Sequence, residues 1–135
     1  GKANVLNEGK DVAIIACGML LYNAMLAAKD LEAENIDVRI VNSHTVKPMD
    51  EAAITRAAKE TGAVVTVEEH QVAGGMGSAV AEVLAQNYPV PMEFIGVQDR
   101  FGESGGPSEL VEAFGMGVKS IKEAVKKVLS RKPRS

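Results

Sequence analysis

The residues best suited to chemistry lie in one run, Glu68-Glu69-His70, which closes an apolar segment three residues before Gly74-Gly75-Met76-Gly77-Ser78. Glycines let a backbone approach a ligand closely, and free amides at a helix N-terminus attract anions. A phosphate or carboxylate held there is the chemistry this arrangement suggests. Glu69, His70, Gly74, Gly75, Met76, Gly77 and Ser78 are therefore the candidate anion or interface residues. The structural alternative is that the glycines let a helix pack tightly on a sheet, while Glu69 or His70 caps that helix or meets another subunit. A nucleotide site is disfavoured, because the spacing is not G-x-G-x-x-G and no P-loop lysine follows Gly77.

Other chemistries find less support. His44 and His70 are the only histidines and belong to no H-x-x-x-H or H-E-x-x-H pattern, which argues against zinc. Ser78 lacks a G-x-S-x-G elbow, and Cys17, ending an apolar run, reads as a small buried hydrophobe. Glu68 and Glu69, adjacent on an extended strand, point to opposite faces and do not make a cooperating acid and base.

The elements that must position this run follow from periodicity. Val12 to Cys17 and Ala63 to Val67 are apolar at nearly every position, as in strands buried on both faces. Asp37 to Val41 and Met92 to Val97 read as two further strands. Between them, Leu21, Ala24, Met25, Ala28 and Leu31 recur at helical spacing. Asp50 stands at an N-cap position before an alanine-rich helix from Glu51 to Thr61 that ends at Gly62. Val80, Val83 and Leu84 mark a third helix, and Val118, Ile121, Val125, Val128 and Leu129 a last one. Lys2 to Leu6 is separated from Val12 to Cys17 by Asn7-Glu8-Gly9-Lys10, which predicts an antiparallel hairpin between those two segments. The expectation is an α/β three-layer sandwich. Its mixed five-stranded sheet has four parallel strands and one antiparallel strand, flanked by helices. In such sheets ligands bind beyond the carboxyl ends of the strands, here Cys17-Gly18, Asn42-Ser43-His44-Thr45 and Glu68-Glu69-His70.

Composition bounds the class. The chain has 135 residues, 46% apolar and 24% charged, which fits one globular domain over 1–135 and excludes disorder or collagen-like structure. Its longest apolar run is far below the roughly 20 residues that cross a bilayer. One cysteine permits no internal disulfide and suits a reducing compartment, so a cytoplasmic location is expected. The sequence opens on Gly1 and not on methionine, and is expected to be a fragment of a larger chain. The net charge of −3 divides into −9 for residues 1–117 and +6 for residues 118–135. The basic terminal helix lacks interleaved aromatics, so it reads as a solvated face and not as a nucleic-acid or membrane surface.

Two stretches resemble a known family. Gly1-Lys2-Ala3-Asn4-Val5-Leu6-Asn7-Glu8-Gly9-Lys10-Asp11-Val12, followed by Ile14, Ile15 and Gly18, is similar to the start of the C-terminal domain of the transketolase superfamily of thiamine-diphosphate enzymes. So is Thr66-Val67-Glu68-Glu69-His70 leading to Gly74-Gly75-Met76-Gly77-Ser78. Beta subunits of 2-oxoacid dehydrogenases and deoxyxylulose-phosphate synthases share both stretches. The run Ile95-Gly96-Val97-Gln98-Asp99-Arg100-Phe101-Gly102-Glu103-Ser104-Gly105, with Glu109-Leu110, Gly115 and Ile121, resembles transketolases, especially those split over two chains.

The resemblance implies an intact enzyme that moves a two-carbon ketol unit between sugar phosphates, as in pentose phosphate chemistry, with thiamine diphosphate and a divalent cation, usually magnesium. It also implies a homo-oligomer, such as a dimer, with the cofactor-binding domains or subunit as partners. The family's diphosphate signature begins Gly-Asp-Gly, which occurs nowhere here, and its activating glutamate belongs to a preceding domain. No catalytic, cofactor-binding or metal-binding residue is therefore assigned. The chain by itself is expected to be inactive, to bind no cofactor, and to serve assembly or regulation. The competing readings are the same domain of a deoxyxylulose-phosphate synthase or 2-oxoacid dehydrogenase beta subunit, or a free-standing anion- or nucleotide-binding module. An exposed apolar patch flanking Glu68 to Ser78 would favour assembly. Tight binding of phosphate or nucleotide would favour the free-standing module.

Overall fold

Strands that are apolar at every position need cover on both faces, and the computed structural model supplies it. It describes residues 3–43, 49–71, 75–97 and 117–133. In chain order these form β1 (Ala3–Asn7), β2 (Val12–Ala16), α1 (Leu20–Glu32), β3 (Val38–Ser43), α2 (Glu51–Thr61), β4 (Val64–Gln71), α3 (Met76–Asn87), β5 (Met92–Val97) and α4 (Val118–Arg131). The sheet order is β1-β3-β2-β4-β5. β2 runs parallel to β3, with Val12 opposite Val38, and to β4, with Ala13 opposite Val64; β4 runs parallel to β5.

Period-two alternation divides the apolar side chains between two cores. On one face Val12, Ile14, Val38, Ile40, Val65 and Val67 meet Leu20, Leu31, Ile121 and Val125, so α1 and α4 cover that side. On the other, Ala13, Ile15, Val41 and Val64 meet Ile54, Met76, Val80 and Leu84 from α2 and α3. The three-layer α/β sandwich with one reversed strand is thus the fold observed. Asp50 caps α2 by accepting from the Ala53 amide, and that helix ends at Gly62 in the left-handed conformation, as the turn chemistry predicts.

The hairpin is a correction. β1 is antiparallel to β3, with Ala3 opposite Ser43 and Val5 opposite Val41, and does not pair with β2. The turn residues do reverse the chain, but the reversal steps across the start of β3, which lies between the two strands. Gly9 is buried against the backbone of Val38 and Arg39, where any Cβ would collide. Around it the Asn7 side-chain amide donates to the Val38 carbonyl, the Lys10 amide donates to Asp37 at 3.0 Å, and the Asp37 amide donates to Asp11 at 2.7 Å. Turn chemistry specifies that a chain reverses, not which strand fills the gap.

The basic face of the last helix is largely exposed, as expected, and its charges meet acidic partners across the surface. Lys122 lies 3.6 Å from both Asp30 and Glu34, Lys126 lies 2.7 Å from Glu34, and Lys127 and Arg131 both reach Glu93. These contacts tie α4 to the acidic body, each with a small, salt-sensitive contribution. On the far side Arg39, 6% exposed, donates to the Gly9 carbonyl and to Glu60, which also accepts from Arg56.

The hydrogen bond from Arg39 and then that from Arg56 hold the Glu60 carboxyl below its ordinary value. A carboxyl so depressed stabilises the fold above its unfolded value of about 4.3, and that contribution is lost as pH falls through the lower folded value. Glu60→Gln is therefore expected to show a smaller fall in Tm than the wild type between neutral pH and pH of about 3. Equal falls in both proteins would contradict this assignment.

Candidate functional site

β2 and β4 are neighbours whose following helices leave to opposite faces, α1 to one and α3 to the other. Their carboxyl ends therefore form the crevice in which sheets of this kind bind ligands. Alternation along β4 sends Thr66 and Glu68 toward the α3 side and Val67 and Glu69 toward the α1 side.

Glu68 is 1% exposed and fills the place foreseen for an anion. Its carboxylate accepts from the Met76 amide at 2.6 Å and from the Gly77 amide at 2.5 Å, the opening turn of α3. A buried charge needs such partners, and the positive end of the helix dipole favours it further. Gly77 is what lets the helix come this close. A Cβ there would lie 2.8 Å from Thr66 Oγ1, 2.9 Å from Phe94 Cδ1 and 3.0 Å from Glu68 Oε2. Gly75 precedes the helix with φ −95°, so the constraint falls on packing at Gly77 and not on an unusual backbone at Gly75. The Thr66 hydroxyl is buried with no hydrogen-bond partner among the described residues.

Glu69 serves the other helix. Its carboxylate accepts from the Met19 amide at 3.2 Å, just before α1. Gly18, at φ +68°, turns the chain there, and a Cβ on it would lie 2.8 Å from Glu69 Oε1. The two adjacent glutamates thus each satisfy a helix start, on opposite faces of the sheet. Cys17 lies beside them, half-buried. Burial pushes its thiol up, and the charges on Glu68 and then Glu69 push it further, so it is not a thiolate nucleophile at neutral pH.

Of the candidate residues, Glu69, Met76 and Gly77 come together around the two helix starts, with Gly75 as the α3 N-cap and Ser78 in its first turn. His70 lies within β4, while Gly74 is outside the described residues, as are His44, Thr45 and most of the run from Ile95 to Gly105. The residue missing from the candidates is Glu68. Counting faces along β4 puts Glu68 on the same side as Thr66, the side from which α3 starts. Among the described residues no three His, Cys, Asp or Glu side chains gather as a metal site, and no helix is long and apolar enough to cross a membrane. Beside Glu69 the surface is apolar: Met19 is 65% exposed and Tyr22 66%.

Known proteins carry the same sequence pattern and fold. The family described as "Transketolase, C-terminal domain" matches residues 1–121. The chain is 49% identical over 132 residues to the 6-deoxy-6-sulfo-D-fructose transketolase subunit SqwH of Clostridium sp. (strain MSTE9), across 98% of this chain and 41% of that protein. It is 41% identical to an apulose-4-phosphate transketolase subunit of Phocaeicola vulgatus, across 90% of this chain and 38% of that protein. A 1-deoxy-D-xylulose-5-phosphate synthase of Desulfitobacterium hafniense is 38% identical over 97% of this chain and 21% of its own length. Among solved structures, a split-gene transketolase in an inactive β4 tetramer superposes with a TM-score of 0.95 at 48% identity, over 98% of this chain and 43% of that one. The chain therefore spans about two-fifths of the transketolase subunits it matches. With a buried glutamate closing the α3 start at the head of the same sheet, this chain belongs to the transketolase C-terminal domain family.

Proposed function

We propose that this chain is the C-terminal part of a transketolase-type subunit, and that it serves subunit assembly or regulation without performing chemistry. The complete enzyme, on this reading, moves a two-carbon ketol unit between sugar phosphates with thiamine diphosphate and a divalent cation, usually magnesium. It works in the cytoplasm as a homo-oligomer whose cofactor is held by other domains. The observation that carries the reading is that the crevice at the head of β2 and β4 is occupied by the chain's own carboxylates. The residues present do not fit a diphosphate, because its oxygens would face buried Glu68 and find the Met76 and Gly77 amides already bonded. The exposed apolar surface beside Glu69, at Met19 and Tyr22, supports an assembly role.

Calorimetry and a coupled ketol-transfer assay test the proposal. The chain alone is expected to bind no thiamine diphosphate in the presence of magnesium and to turn over no sugar phosphate. Activity is expected when it is joined to the cofactor-binding part of a transketolase subunit. Micromolar cofactor binding by the chain alone, or turnover without a partner, overturns the proposal.

A further inference from the structure

We infer that Glu68-Glu69, at the head of β4, couples the start of α1 on one face of the sheet to the start of α3 on the other, with the Thr66 hydroxyl as the seat Glu68 takes when α3 is released. The sheet itself does not lock this stretch of backbone. Pairing of β4 with β2 ends at Val67, opposite Ala16. On its other side β4 meets β5 at Val67 and Ile95 and again at Gln71 and Val97, so Glu68, Glu69 and His70 stand opposite Gly96 alone. A strand that bulges in this way loses part of its ladder there. Its head is held by two carboxylates on opposite faces: Glu68 on the Met76 and Gly77 amides at 2.6 and 2.5 Å, and Glu69 on the Met19 amide at 3.2 Å. Both fits are close. A Cβ on Gly18 would lie 2.8 Å from Glu69 Oε1, and one on Gly77 would lie 3.0 Å from Glu68 Oε2.

The two residues share one planar peptide, so a rotation that draws Glu69 along with α1 turns Glu68 against α3. Glu68 then has a second place to go. Thr66, on the same face, is fully buried, and its hydroxyl has no partner among the described residues. That hydroxyl lies 2.8 Å from the Cβ position of Gly77, which Glu68 Oε2 approaches to 3.0 Å. A swing of the carboxylate off the helix exchanges two amide donors for one hydroxyl donor, so the buried charge is not left bare. The head of β4 thus has two arrangements, of which the one bonded to α3 is favoured. A change imposed at the α1 start is thereby felt across the sheet at the α3 start, and by linkage the reverse holds equally.

Native-state amide exchange on the 135-residue chain tests the coupling, with circular dichroism melts confirming that each variant folds. Glu69→Ala removes the acceptor of the Met19 amide and leaves the bonds from Glu68 to α3 in place. It is expected to speed exchange at the Met76 and Gly77 amides at least about fivefold, the lower end of a typical coupling between sites. The Ala53 amide, held by Asp50 at the start of α2, is the control and is expected to keep its rate. Adding Thr66→Val, which removes the second seat, is expected to return the Met76 and Gly77 amides toward the wild-type rate. Unchanged exchange at Met76 and Gly77 in Glu69→Ala overturns the proposal, as does an equal rise at Ala53, the mark of a general loosening. Thr66→Val that leaves the faster exchange as it was overturns it too, because the second seat is then not used.

Discussion

Replacement of Glu68 by alanine is expected to lower the unfolding free energy by about 3 to 5 kcal/mol, a large part of a small domain's stability. Two buried amides, those of Met76 and Gly77, lose their acceptor at once. A donor orphaned in this way costs about 1 to 3 kcal/mol, and the start of α3 also loses the anion its dipole favours. Glutamine is no remedy: its oxygen can serve one amide, but its NH2 group then faces the other, donor against donor. Urea unfolding measures the loss, and amide exchange locates it. The Met76 and Gly77 amides are expected to exchange faster in the variant, while amides of β2 keep their order of protection. Thr66→Val is the matched control. It removes a buried hydroxyl that has no partner among the described residues, and is expected to leave stability unchanged or raise it. A Glu68→Ala loss under about 1 kcal/mol would show that water or another group satisfies these amides without cost.

Gly9→Ala is expected to cost at least about 3 kcal/mol, because the new methyl meets backbone and not a movable side chain. It would collide with the Val38 carbonyl group and lie 2.6 Å from the Arg39 nitrogen. Relief requires the loop from Asn7 to Asp11 to lift off β3. That breaks the bond from Arg39 Nε to the Gly9 carbonyl at 3.1 Å and those between Lys10, Asp11 and Asp37. β1 is an edge strand whose side chains are mostly exposed, so it is the part released first. A lowered Tm accompanied by early amide exchange at Asn4 and Val5 is the expected signature. A variant with wild-type Tm would mean that the crossing over β3 is not as tight as described. Exchange rising first in β5 would place the weak point elsewhere.

Much of this architecture is legible in short stretches of sequence. Val12 to Ala16 and Ala63 to Val67 are apolar at every inward and outward position but one, which is possible only for strands covered on both faces. Asp50 and Gly62 mark the ends of α2 because capping is a matter of a few adjacent dihedral angles and one side chain. The two carboxylates at the end of β4 are seen to diverge because neighbouring strand residues alternate. Each of these signals acts over a handful of residues.

Three features were decided only by the tertiary structure. The Asn7 to Lys10 turn reverses the chain, but β3 arrives later in sequence to occupy the space between β1 and β2. The best partner for an edge is set by the whole sheet's packing. The glycine-rich helix start looks open to an outside anion until Glu68 is placed on the same face, eight residues back, where it becomes the anion itself. The basic end of the chain is the exposed face its sequence suggests, but which acidic groups it meets is set only when α4 lies along α1 and β5, which bring Asp30, Glu34 and Glu93 beside Lys122, Lys126, Lys127 and Arg131. Periodicity, capping and turn chemistry are local and belong to the sequence. Which group answers a buried donor or a charge depends on elements far apart in the chain, and only their packing brings those groups within hydrogen-bond reach.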